Sequence, residues 1–185
     1  MRLIIAAILG GIVLFGWSAI SHMMLGNGEA SGLPTASEAA VTATLKANVI
    51  AEGFYIIPGM DMTKTPSADE MAAWTAKYQE GPTAILVYNP TGGEGMTPKL
   101  LGIELASNIG VALLVGIILS FASAGFARGT VISTLVGLSG WAAIEVSYWN
   151  WFRFPTNFVR GELIDQTVGF LLMGLVLSFI LRKRN

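Results

Sequence analysis

The chain has no cysteine and a single histidine, His22. Without thiols there are no disulfides, no thiolate metal ligands and no cysteine nucleophile. One imidazole leaves no serine with an evident histidine and acid beside it, and haem would lack a second histidine and any attachment motif. Charge is scarce as well: charged residues are 12% of the 185, about half the share in a soluble domain. Nor is there a polybasic surface for nucleic acid, because residues 26–99 carry eight acids and four lysines, a sum of −4. The glycine-rich "NPTGGEG" at 89–95 lacks the Lys-Ser/Thr pair of a phosphate loop and is expected to be a flexible exit toward the next helix.

What the chain does have is apolar sequence, gathered in four blocks: 3–25, 100–123, 130–150 and 163–181. Each is about 19–24 residues, enough for a helix to cross a hydrocarbon layer of about 30 Å. The expected fold is an all-α membrane bundle of four transmembrane helices, with a small extracytoplasmic α/β domain inserted between the first two. By residue, the first helix occupies 1–26, the domain 27–99, and the other three helices with a basic tail 100–185. The first block resembles a secretory signal, but its apolar run continues to Leu25, longer than a signal core, so an uncleaved anchor is expected.

The positions of Lys and Arg set the orientation. With the N-terminus inside, Arg2, Arg128 and the tail Arg182, Lys183 and Arg184 are cytoplasmic, and those pieces contain no acid. Both termini are then cytoplasmic in a cell membrane, expected to be a bacterial inner membrane, and 27–99 is outside.

Two capping boxes are expected in the inserted domain, "TASE" at 35–38 and "SADE" at 67–70, each opening an amphipathic helix. Val41, Leu45 and Val49 line the first helix, and Met71, Trp74 and Tyr78 the second. Each helix gives way to a β-type stretch, "FYII" and then "AILVY", so the order is helix-strand-helix-strand. Two strands and two helices make a marginal core, and the domain is expected to lean on the membrane helices or on a partner.

Small residues recur at four-residue spacing in the apolar blocks: Ala7 and Gly11; Gly102 and Ala106; Ala112, Gly116 and Ser120; Gly129, Ser133 and Gly137; Gly174 and Ser178. In lipid such patterns favour close helix association. The short connection near 124–129 predicts that the second and third helices form an antiparallel hairpin.

The third block ends in "IEVSYWNWFRFP". Trp141, Tyr148, Trp149, Trp151 and Arg153 are expected to form an interfacial belt, with Pro155 ending the helix. Glu145 lies inside that exit and is not explained by a belt. Glu104, Asp165 and His22 fall near the same outer level on the other helices, and Asn108 lies one turn below Glu104. Ionisable groups at such depth usually face the bundle and find partners. They are expected to be a polar lid fixing the helices, an ion site, or groups simply exposed at the interface. Met23, Met24, Met60 and Met62 add thioethers that suit copper(I) together with one imidazole, though such sulfurs also fill gaps in cores.

The sequence therefore predicts a non-catalytic membrane protein without a required cofactor, contacting lipids and other subunits of a membrane complex as an accessory, stabilising or assembly subunit. The alternative is a protein that binds or transports a proton or copper through the outer carboxylate, histidine and methionine groups. No comparable polar groups occupy the inner half of the helices, which disfavours a continuous transport path.

Overall fold

The computed structural model describes residues 1–26, 32–61 and 63–182. In chain order it contains α1 (Arg2–Met23), α2 (Thr35–Asn48), β1 (Gly53–Ile57), α3 (Ala68–Glu80), β2 (Ala84–Tyr88), α4 (Pro98–Phe121), α5 (Phe126–Phe152) and α6 (Thr156–Leu181). They divide into two compact units, one of residues 1–30 with 96–185 and the other of 31–95. Met62, Lys183 and Arg184, named above as a candidate ligand and as tail cations, lie outside the described residues.

The first unit holds α1, α4, α5 and α6, four helices of 22, 24, 27 and 26 residues that are long and apolar enough to cross a membrane. A helix satisfies its backbone polar groups internally, as hydrocarbon demands. Side by side the order is α5-α6-α1-α4: α6 packs along both α5 and α1, α1 also packs on α4, and α4 meets α5 only lightly. The expected hairpin of the second and third helices therefore exists as a chain connection, not as a packed pair.

The reason lies in which faces carry small residues. A Cβ on Gly174 of α6 would fall 2.6 Å from the Cβ of Ser133 on α5, and one on Gly129 of α5 would fall 2.5 Å from the Ser178 Oγ on α6. On the other side, a Cβ on Gly11 of α1 would sit 2.6 Å from the Ile109 Cα of α4. These close approaches supply the dispersion contacts that hold helices together where water gives no drive. Gly102 has open space around it, so the expected Gly102 and Ala106 pair forms no such contact. Met173 and Leu177 of α6 are fully buried at the centre, against Ala7, Leu14, Ala112 and Val115.

Helix α4 starts where Thr97 Oγ1 accepts from the Leu100 N–H at 3.3 Å, with Pro98 at the first helical position. Helix α5 ends at Phe152 and not at Pro155, with Arg153 in the left-handed region at φ 58°. Pro155 instead precedes α6, which begins at Thr156 and not near 163. Proline lacks the N–H that a first helical turn leaves unused, so it suits that position as well as it suits a helix end.

The second unit has the expected helix-strand-helix-strand order. Its strands are antiparallel, with Gly53 opposite Tyr88 and Ile57 opposite Ala84. At α3 the box forms in full: the Ser67 hydroxyl accepts from the Glu70 N–H at 3.2 Å, and Glu70 accepts from the Ser67 N–H at 2.8 Å. At α2 it does not form. Pro34 takes the cap position, its carbonyl accepting from the Glu38 N–H at 3.1 Å, so the register is one residue off for Thr35 and Glu38 to engage. Trp74 donates its indole N–H to the Pro58 carbonyl at 3.0 Å, tying α3 to the segment after β1. No described residue from 32 to 95 is buried.

Candidate functional site

Three helices of the first unit bring polar side chains to one cavity of about 280 Å³. His22 comes from the last turn of α1, Glu104 and Asn108 from α4, and Glu162, Asp165 and Gln166 from α6. Leu14, Val111 and Phe170 line its apolar part. The α6 residues stand at positions i, i+3 and i+4, which is why one helix face presents all three.

Asp165 is the most enclosed of the carboxylates, 8% exposed. Its Oδ2 lies 3.9 Å from His22 Nε2, an ion pair when the imidazole is protonated. Its Oδ1 is buried and accepts no hydrogen bond among the described residues. The Trp17 indole N–H donates to the Asp165 backbone carbonyl at 3.1 Å and fixes this part of α6 against α1. On α4, the Asn108 amide donates to both the backbone carbonyl and Oε1 of Glu104, each at 3.0 Å, and so holds that carboxylate along the helix.

The structure thus joins His22, Glu104, Asn108 and Asp165 in one place. Glu145 does not line the cavity, but Glu162 interacts electrostatically with Glu145, His22 and Asp165. The Oε2 of Glu145 is buried without a hydrogen-bond partner among the described residues.

Glu162, Gln166 and Ser18 also belong to this lining and were not anticipated. Starting the fourth helix at 163 placed Glu162 in a connection. The signal that would have found it is the i, i+3, i+4 spacing of Glu162, Asp165 and Gln166, continued backward through "TNFVRGEL" to Pro155.

Met23 and Met24 do not line this cavity. Met23 and Met24 are 69% and 77% exposed at the end of α1, and Met60 belongs to the other unit, beside Asp61 and Trp74. Among the described residues no three His, Asp or Glu side chains are placed to hold a metal ion.

At the α5 exit, Tyr148, Trp149 and Trp151 are exposed. The Tyr148 ring lies 5.9 Å from Phe152 and 5.2 Å from Phe154, and Trp149 donates to the Thr156 hydroxyl at 3.3 Å. Trp141 is placed differently: its indole N–H donates to the Val159 carbonyl at 2.9 Å, pinning α5 to α6. Arg153 is the left-handed residue that turns the chain between those helices.

No family model matches the chain, and no curated protein or solved structure is significantly similar to it.

Proposed function

We propose that the chain is a non-catalytic integral membrane protein that serves as an accessory, stabilising or assembly subunit of a larger membrane complex. In this reading it sits in a bacterial inner membrane with both termini cytoplasmic, and 27–99 forms an extracytoplasmic α/β domain. The tail arginine Arg182 and the inner-turn Arg128 support that orientation.

One observation carries the subunit role: no described residue between 32 and 95 is buried, although that stretch forms two helices and a sheet. Secondary structure without a core does not offset the entropy of ordering the chain, so a surface supplied from elsewhere has to contribute. Ile56 and Val87 stand on one sheet face at 44% and 78% exposure, and Ile50 beside β1 is 91% exposed. These are the side chains that a partner would cover.

The test is the mass and composition of the particle released gently from its own membranes. Stoichiometric recovery with other membrane subunits, lost in an Ile56→Lys, Val87→Lys double variant, is the expected result. A lone chain of unchanged mass in both forms overturns the proposal.

A further inference from the structure

We infer that the end of the bundle where α1 begins and α6 stops holds the headgroup of an anionic phospholipid, its phosphate between Arg2 and Arg182. The inference rests on the four helices crossing a bilayer. It does not rest on the subunit role above, which is judged on the mass of the native particle.

Helix packing brings the two arginines together. A Cβ on Gly169 of α6 would meet Leu14 and Trp17 of α1, one on Gly10 of α1 would meet Met173 and Leu177, and one on Gly116 of α4 would meet both Leu3 and Leu181. The contacts descend α1 as they climb α6, so these helices run antiparallel and Arg2 arrives beside Arg182. With Phe179 and Ile180 the two arginines line a cavity of about 200 Å³. The carboxylate cavity described above lies along the other half of α1.

The charge at this end has no counterpart in the surrounding helices. No Asp or Glu occurs in 1–28, 105–144 or 166–185, and among the described residues neither arginine forms an ion pair. Arg128, near the start of α5, adds to the excess, because the neighbouring Gly129 packs on Ser178 of α6. The Arg182 guanidinium lies over the Phe179 ring, with Cζ 4.6 Å from the ring centroid. That contact engages the face of the guanidinium and leaves its N–H groups, which spread in its plane, for an acceptor. Phosphate oxygens accept such N–H groups in pairs and bring the opposite charge.

The apolar surface beside the cavity selects a lipid as the source of the phosphate. Leu171, Leu175 and Phe179 are exposed at four-residue spacing on α6 and lead to Arg182. A soluble phosphate gains nothing from that track, whereas acyl chains cover it while the headgroup stays with the guanidinium groups at the interface. Net charge selects among lipids. The ammonium of a zwitterionic headgroup would meet two uncompensated cations, and a headgroup with net negative charge, such as phosphatidylglycerol, would not.

The test uses the full chain in phosphatidylcholine nanodiscs containing a minor share of phosphatidylglycerol, with the lipids that stay bound after release into detergent counted by native mass spectrometry. We expect one phosphatidylglycerol retained per chain, in excess of its share in the disc. Arg2→Gln and Arg182→Gln are each expected to lower that retention about fivefold, the worth of one basic side chain near an anionic surface. Arg128→Gln removes the same charge from the same end but outside the cavity, and is expected to leave retention nearly unchanged. Retention in proportion to disc composition, or equal losses in all three variants, overturns the site. The comparison of the two lipids on the unaltered chain needs no substitution, so it decides the matter however the variants fold. Displacement of the bound phosphatidylglycerol by millimolar glycerol phosphate assigns the site to a soluble phosphate and overturns the lipid.

Discussion

Ser133 and Gly174 face each other across α5 and α6 so closely that a Cβ added to Gly174 would lie 2.6 Å from that of Ser133 and 3.3 Å from the Thr130 carbonyl. Backbone lies behind the serine, so neither side can give way cheaply. Gly174→Leu is expected to cost about 1–3 kcal/mol of bundle stability or more, by overpacking. Gly102→Leu, on an open face, is expected to stay within about 0.5 kcal/mol. Unfolding midpoints of both variants in mixed micelles check this pair of outcomes.

A second expectation concerns the Trp141 indole, which donates to the Val159 carbonyl at 2.9 Å. Trp141→Phe keeps most of the ring and removes the donor, so a loss of about 0.5–1.5 kcal/mol is expected. Trp151, 73% exposed, has no comparable bond among the described residues, and Trp151→Phe is expected to leave the same midpoint unchanged. Equal effects at the two positions would show that Trp141 acts as bulk alone.

Acidification should weaken the start of α3. The Lys64 ammonium, 2.8 Å away, and then the Ser67 N–H and hydroxyl hold the Glu70 carboxyl below its usual range. A carboxyl depressed in the folded state stabilises above its unfolded pKa, and that contribution fades as pH falls through the lower folded value. Amide exchange at Glu70 and Met71 is therefore expected to accelerate as pH drops below about 4.5, after correction for intrinsic rates. In Glu70→Gln that added acid sensitivity should vanish, while α2, whose cap is Pro34, serves as the internal reference.

The sheet face gives a fourth expectation. Val87 is 78% exposed, so Val87→Lys should alter the isolated chain by no more than about 0.5 kcal/mol. In native membranes the same change is expected to lower the amount of the larger assembly severalfold. Undiminished assembly with Val87→Lys would place the contact elsewhere.

The four long helices were legible because about 20 consecutive apolar residues have few other uses. Their ends were less so. Hydropathy marks the lipid-facing middle of a span, whereas "TNFVRGE" before the apolar part of α6 is helical and polar. That gap hid Glu162 and with it the continuity of the acidic face. His22, Glu104, Asn108 and Asp165 were recognisable one by one, since ionisable or amide groups in an apolar run are costly. Their convergence depended on which helices are neighbours, and connection length predicted α4 beside α5 where the small faces of Ser133 and Gly174 join α5 to α6. The capping boxes show the same limit on a smaller scale. Ser67 and Glu70 sit in register, and Thr35 misses by one residue because Pro34 takes the cap.

Helix α1 lies between α6 and α4, so of these four helices the first in chain order has one of its two main neighbours only when the fourth has been made. Until α6 is made, the α1 side chains Leu14 and Trp17 lack the Gly169 surface that covers them in the folded unit. Insertion machinery or a companion protein that shelters α1 through that interval would govern how much of this chain matures. A change on that face, such as Gly169→Leu, should then appear as a defect in yield before it appears in the finished protein.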